Sequence, residues 1–139
     1  MSESAFQPDD KIRQIAEAYA LDAVDFAAQN FKIKLDGSEA SIELVENMLD
    51  RLHKEMAKAK PDEKTIWLTT KALGSYVGET MIRHHGGEWG MIQMGSDKFP
   101  GIRRSNGGLC WPWGKVHKRL INGDEDNVWH YYMILTREH

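Results

Sequence analysis

The stretch from Leu73 to Gly90, LGSYVGETMIRHHGGEWG, contains several residues of the types that catalyse reactions or bind metals. His84, His85 and Glu88 are metal-ligating side chains close together in sequence, and Glu79 is a carboxylate that could act as a general base. A small hydrolase or metal-dependent enzyme that uses these four residues is therefore one hypothesis. Neighbouring side chains on a helix point about 100° apart, however, so both histidines reach one ion only beyond the helix end.

The favoured interpretation of His84 and His85 is structural. Basic side chains in the last turn of a helix complement its dipole and cap its free carbonyl groups. We accordingly predict neither a metal nor another cofactor. Glu79 is a single carboxylate, and a glycosidase needs a pair. No catalytic residue is predicted in this stretch.

Two candidate nucleophiles lack the arrangement that their chemistry requires. Ser75 is the second residue of GSYVG, whereas the nucleophile elbow places serine at the centre of G-x-S-x-G on a strand-to-helix turn. Cys110 is the single cysteine of the sequence, and nothing specifies that His117 lies beside its thiol together with a third, orienting group. We interpret Cys110 as a small apolar residue on a strand.

Gly74 and Gly78 lie one turn apart inside a predicted helix. Each glycine costs about 1 kcal/mol relative to alanine in a helix interior. The expected compensation is the close approach of another element, because glycine has no Cβ to hold a neighbour away. We therefore assign a structural role to one group of residues in this stretch: Gly74, Gly78, Glu79 and Trp89.

Glu79 has two alternative structural partners. An ion pair with Arg83 at i,i+4 is worth about 0.2–0.5 kcal/mol on an exposed helix. The other interpretation is a partly buried carboxylate that anchors the sheet through Arg103, Arg104 or backbone donors. Adjacent residues of a strand point to opposite faces, so only one of the two arginines can be this partner.

The segment from Lys98 to Gly123 carries six Lys or Arg residues and no Asp or Glu, although the net charge of the chain is −3. The last 51 residues also contain four tryptophans, Trp89, Trp111, Trp113 and Trp129, and tryptophan concentrates at binding hot spots. This pattern predicts a surface for an acidic protein partner. The alternative is that the basic segment faces the acidic helices of the same chain. The predicted partner-binding residues are Arg103, Arg104, Trp111, Trp113, Lys115 and Lys118.

Composition limits the classes of protein to consider. The 139 residues fit one domain over positions 1–139, with a disordered tail expected at positions 1–7. The net negative charge argues against a nucleic-acid binder. We find neither an apolar run long enough for a membrane span nor a secretory signal, so no membrane partner and a cytoplasmic location are expected.

The periodicity of apolar residues predicts an α+β domain, mainly helical, with about five helices on a small three-stranded antiparallel meander. The first helix is predicted from Pro8 to Asn30, and the second begins near Asp36, with Glu39 completing a capping box. The third begins after Pro61 and contains the glycine pair. EWGMIQMG and GIRRSNGGLCW then predict three strands, the last two joined by an Asn-Gly turn.

Two further helices are predicted after the strands. One begins near Pro112 and ends at Gly123, and the last is expected to be capped by Asp124.

Two sequence elements, LDGSEASIELVENMLD and LGSYVGETMIRHHGGEW, resemble a group of small bacterial domains of unknown function. Members of that group carry Leu-Asp-x-Ser-x-x-Ser, then Leu-Gly-x-Tyr-x-Gly-Glu, then Gly-x-Trp, and the likeness covers roughly residues 31–135. Some members resemble immunity proteins, which bind and block a toxin. The resemblance implies a non-enzymatic protein-binding module with a toxin as one partner, and the basic segment predicts that the surface of this toxin is acidic. The matching positions are Leu35, Asp36, Ser38, Ser41, Leu73, Gly74, Tyr76, Gly78, Glu79, Gly87 and Trp89.

Overall fold

A computed structural model describes residues 5–137 and has the predicted α+β architecture. The helices are α1 (Asp10–Phe31), α2 (Ser41–Met56), α3 (Glu63–His85), α4 (Pro112–Asn122) and α5 (Val128–Arg137). The strands are β1 (Ala5–Pro8), β2 (Glu88–Met94), β3 (Asp97–Arg103) and β4 (Leu109–Cys110), and a short 3-10 turn (Asp124–Asp126) precedes α5. The sheet is antiparallel with the order β1-β2-β3-β4, so it has four strands where three were predicted.

Strand β1 corrects the prediction of a disordered tail over positions 1–7. Ala5 pairs with Gln93 and Pro8 with Gly90, and a Cβ at Gly90 would overlap the Gln7 carbonyl group. Four residues are too few to signal a strand, and β1 is ordered because the edge of β2 supplies its hydrogen-bond partners. Residues 1–4 of the predicted tail lie outside the described residues.

The helix starts follow the predictions in part. Helix α3 begins at Glu63, after Pro61 as predicted, and Asp62 caps it by accepting a hydrogen bond from the backbone N–H of Thr65. Pro8, predicted as the first residue of α1, belongs instead to β1, and Asp9 is the cap. The last helix is capped by Asn127 rather than Asp124, since the N–H of His130 bonds to the Asn127 side chain.

The predicted capping box of the second helix is wrong. Helix α2 begins at Ser41, and the Asp36 side chain accepts a hydrogen bond from the N–H of Ser38 in the loop before it. Glu39 bonds instead to side chains of α3 and α5, those of His85 and Tyr132. A capping box depends on local geometry alone, and tertiary hydrogen bonds took its place here.

Helix α3 lies at the centre of the fold and carries most of the candidate functional residues. It packs against α1 on one side and α4 on another, while the sheet follows directly from its C-terminus. Helix α1 contributes fully buried alanines, whose small side chains allow two helices to approach closely. The largest buried hydrophobic side chains of the core include Met48, Leu73, Met81, Trp89, Ile102, Leu120 and Tyr132.

Candidate functional site

Other elements approach the glycine pair of α3 closely, as predicted, and the contacts are made by two tryptophans that were not predicted as partners. A Cβ at Gly74 would lie 2.9 Å from the Cα of Trp113, which belongs to α4. A Cβ at Gly78 would overlap the ring of Trp89 and lie 2.9 Å from Ile102 Cδ1. The absent side chains thus allow α4 and the sheet to pack directly on the α3 backbone.

Glu79 is held by Trp89 and not by an arginine. The indole Nε1–H of Trp89 donates a hydrogen bond of 2.9 Å to Glu79 Oε2. Arg103 pairs instead with Glu88, and Arg104 donates to the carbonyl oxygen of Leu135. Glu79 therefore anchors the sheet, but through an aromatic donor that follows the helix-ending turn.

The environment of Glu79 opposes its ionisation. The carboxyl group is half-buried, and loss of solvent raises its pKa above the ordinary 4.5, while the bond from Trp89 lowers it in part. The charge of Glu17 raises the pKa further, and that of Arg13 lowers it. Glu79 also borders a cavity between α1 and α3.

His84 and His85 fix the loop that precedes α2 and do not cap their own helix, which corrects that prediction. His84 Nε2 lies 2.9 Å from the carbonyl oxygen of Gly37. His85 Nε2 lies 2.5 Å from Glu39 Oε2, which also accepts a hydrogen bond from the hydroxyl of Tyr132. The helix ends at His85 and is followed by Gly86, whose positive φ of 81° glycine adopts without strain.

The candidate catalytic residues do not converge on one point. Residues 5–137 contain no group of three or more His, Cys, Asp or Glu side chains arranged to hold a metal ion. Glu88 pairs with Arg103 at 2.6 Å, whereas Glu79 binds Trp89. Burial raises the pKa of the Cys110 thiol to about 11, so it is protonated at neutral pH, the inactive form of a nucleophile.

An open groove joins α3, the sheet, α4 and α5, and we call it the aromatic groove. Its volume is about 550 Å³ and its lining is mostly apolar. Trp67 is 40% exposed in it, Met94 46% and Phe99 44%, which is unusual for side chains of this size. The lining residues are Trp67, Met94, Phe99, Pro100, Trp111, Trp113, Gly114, Lys115, Lys118 and Tyr131.

Contacts with residues of α3 and α4 fix the aromatic side chains of the groove. The indole N–H of Trp113 donates a hydrogen bond of 2.8 Å to Ser75 Oγ, on the same turn of α3 as Gly74. The ring of Trp67 stacks on His117, with 4.3 Å between ring centroids and 7° between planes. Rigid aromatic surfaces of this kind lose little conformational entropy when they bind a partner.

Lysines supply the charge of the aromatic groove, and none of the described residues that line it is acidic. Lys118 is exposed, and Lys115 lies over the ring of Tyr131 while it pairs with Asp126 at 3.3 Å. Lys71, one turn after Trp67 on α3, lies over the ring of Trp113. The groove is therefore apolar inside with cationic groups around it.

Four of the six predicted partner-binding residues line this groove: Trp111, Trp113, Lys115 and Lys118. The other two lie elsewhere. Arg103 is exposed beside Glu88 and Phe6, and Arg104 is buried against α5. Arg119 is fully buried and bonds to Glu46 and Asp50 of α2, so for this residue the basic segment does face the chain's own acidic helix.

Six of the ten lining residues were not predicted as binding residues, and three of these, Trp67, Met94 and Phe99, are large exposed apolar side chains. They come from α3, β2 and β3, and all three precede the predicted binding residues, which begin at Arg103. Trp67 carried a usable signal, since it lies off the helix face that Leu73, Tyr76 and Val77 mark. The exposure of Phe99 and Met94 depends on the register of the sheet, so the sequence carried no signal for these two residues.

No family model and no curated protein matches the chain. Among solved structures, a protein of Bacteroides thetaiotaomicron VPI-5482, whose crystal structure is known at 1.50 Å resolution, is similar with a TM-score of 0.70 and 16% sequence identity. The match covers 100% of this chain and 50% of that chain. At this identity the likeness shows the fold alone. Within residues 5–137, no helix has the length and hydrophobicity that crossing a bilayer requires.

Proposed function

We propose that this chain is a non-enzymatic protein-binding module whose aromatic groove takes an acidic segment of a protein partner. The observation that carries the proposal is the combination of large exposed apolar side chains with lysines and no carboxylate along one groove. A few hot-spot residues supply most of the energy of protein interfaces, and tryptophan and tyrosine are enriched among them, while surrounding charges select the partner and speed its approach.

The groove favours recognition of side chains over addition of a strand to the sheet. Within residues 5–137, strand β4 pairs only with Ile102 and Arg103, so the earlier part of β3 has an edge that no other described strand pairs with. The N–H of Arg104 points towards β4, and backbone groups alternate along a strand, so Lys98 and Pro100 face this open edge. Pro100 has no N–H to donate, and proline at an edge discourages strand addition.

A protein partner suits the charge of the molecule better than a nucleic acid does. The net charge is −3, which repels a phosphate backbone outside the groove. A toxin blocked in the manner of immunity proteins is the partner that the sequence resemblance implies, and the proposal includes it. In that case the chain binds stoichiometrically and performs no turnover.

Selection from a displayed library of random peptides tests the proposal and does not require the partner to be identified first. We expect enrichment of peptides that carry an aromatic or aliphatic residue flanked by Asp or Glu. Phe99→Ala removes an exposed groove side chain and should weaken binding about tenfold or more. The double variant Lys71→Glu, Lys118→Glu should favour basic flanks instead. Arg104 is left unchanged because it is buried.

The matched control is Lys58→Glu, Lys60→Glu, which changes the net charge equally at exposed positions outside the groove. It should retain the selected peptides. Binding that survives Phe99→Ala and the Lys71 and Lys118 reversals would contradict the proposal. Displacement of the peptide by a single-stranded oligonucleotide would identify a nucleic-acid surface instead. In the native host, the neighbouring gene products are then tested for inhibition by the chain at equal stoichiometry.

A further inference from the structure

A second cavity, of about 470 Å³, lies between α1, α3 and the loop before α2. We call it the α1–α3 cavity. Glu79, Arg83 and Asp36 provide its charged groups, and Leu21, Val24 and Leu35 are among its apolar walls. It shares no lining residue with the aromatic groove. Opposite charges and an aliphatic wall thus border one space.

The opposite charges of this cavity do not neutralise each other. Arg83 follows Glu79 by one helical turn, yet the described residues include no ion pair between Arg83 and any carboxylate. Glu79 accepts one hydrogen bond, from Trp89, through Oε2. A half-buried carboxylate and a guanidinium that face one cavity without pairing are both available to a ligand.

The loop geometry places the Arg83 guanidinium at the cavity. Its Nη1 lies directly over Gly37, where a Cβ would overlap it. Gly37 is itself fixed, because its N–H donates a hydrogen bond of 2.9 Å to the hydroxyl of Tyr76 and its carbonyl oxygen contacts His84. The hydroxyl of Tyr76 also bonds to Ser41 Oγ at 2.6 Å. Side chains of α2 and α3 thus hold this loop under the arginine.

We propose that the α1–α3 cavity binds a free aliphatic α-amino acid. The ammonium group bonds to Glu79, with Asp36 as a second carboxylate at the rim, and the carboxylate bonds to Arg83. The side chain lies against Leu21, Val24 and Leu35. A divalent cation suits the site less well, because Arg83 repels it and no three ligands converge there within residues 5–137.

Isothermal titration calorimetry with L-leucine tests this inference, and two analogues dissect it. Isoamylamine lacks the carboxylate of leucine, and 4-methylpentanoic acid lacks its ammonium group. We expect L-leucine to bind, and each analogue to bind about tenfold more weakly or worse, because each loses a charge-assisted hydrogen-bonded pair. Glycine, which lacks the side chain, should also bind more weakly.

Two variants locate the site. Glu79→Gln keeps an acceptor for the Trp89 indole, and Arg83→Gln changes an exposed side chain, so both should fold. Each should weaken L-leucine binding about tenfold. Arg137→Gln, an exposed arginine on α5, is the control and should bind as the parent does. The inference is overturned if L-leucine does not bind to the parent at about 10 mM, or if it binds to both variants as tightly as to the parent. Equal binding of isoamylamine would also overturn it.

Discussion

Glu79 is a carboxylate whose position makes its own charge unfavourable in the folded chain. It is half-buried, and its pKa is raised by desolvation more than the Trp89 hydrogen bond lowers it. The folded state therefore holds a proton on Glu79 more tightly than the unfolded state does. The ionised form destabilises the fold, and a cationic ligand group would relieve this cost.

The substitution Glu79→Gln should change how stability depends on pH. The unfolded pKa is near 4.5 and the folded pKa is higher, so parent stability falls as pH rises through the interval between them. The variant has no such group, and its stability relative to the parent should increase over that interval and then stay constant. Urea unfolding of both proteins at intervals from about pH 4 to 7 measures the difference. A difference that is independent of pH would contradict the raised pKa.

The glycine pair offers a second test at the scale of single residues. Gly74→Ala places a methyl group against the Trp113 backbone, and Gly78→Ala places one on the Trp89 ring. Each should destabilise the fold by about 1–3 kcal/mol despite alanine's better helix propensity. Gly114→Ala on α4 is the control, because its new Cβ would lie 3.6 Å from Trp111 Cβ, an ordinary contact. Denaturant midpoints compare the three, and equal stability of Gly74→Ala and Gly114→Ala would refute close packing at Gly74.

Some contacts of single residues in the site could be predicted from the sequence and others could not. The glycine pair was predictable because its spacing is a property of one helix. The partner of Glu79 was not, because Trp89 returns to it only after the Gly86–Gly87 turn, at a separation of ten residues. Charge alone favoured an arginine, and the structure uses a neutral indole donor.

At the scale of elements, a buried ionic network joins α2, α4 and α5. Arg119 of α4 is fully buried and bonds to both oxygens of Glu46 on α2, at 2.9 and 3.1 Å through its Nε. The N–H of Val128, at the start of α5, donates a hydrogen bond of 2.8 Å to Glu46. One carboxylate thus connects three helices. Asp50 and Asp124 bond to Arg119 from more exposed positions.

Glu46→Ala should therefore be among the most destabilising single changes in the chain. It leaves the buried guanidinium of Arg119 without its main partner, a loss that typically costs about 3–5 kcal/mol. Asp124→Ala removes a partner of the same arginine whose side chain is 89% exposed, and it should change stability little. Chemical denaturation of both variants checks this contrast. Similar losses for the two would show that the network is no stronger at its buried end.

Elements were predicted where their signal is local and missed where it is tertiary. Helix α3 was predictable from Pro61 and its apolar spacing, and α4 from Pro112 and Gly123. Strand β1 forms by pairing with the edge of β2, which its own four residues do not signal. The start of α2 was misplaced because Glu39 bonds to the side chains of Tyr132 and His85 and not to its own backbone. Long-range partners of this kind are not contained in a short window of sequence.

At the scale of the whole molecule, the distribution of charge matters more than its sum. The chain is acidic overall, yet the aromatic groove has lysines along it and no acidic lining residue. The sequence predicted a basic region but not its extent, because Arg104 and Arg119 are used inside the fold. The groove itself joins side chains of α3, β3 and α4 that are distant in sequence, which is why Trp67 and Phe99 were missed.

This distribution predicts that charge and apolar contact act on different rate constants of binding. For a peptide selected on the aromatic groove, higher salt should screen Lys71 and Lys118 and lower the association rate, with little effect on dissociation. Phe99→Ala should mainly raise the dissociation rate, because it removes contact made only after docking. Stopped-flow fluorescence of the exposed tryptophan, Trp67, follows both rates across a salt series. An association rate that does not change with salt would show that the lysines around the groove take no part in attracting the partner.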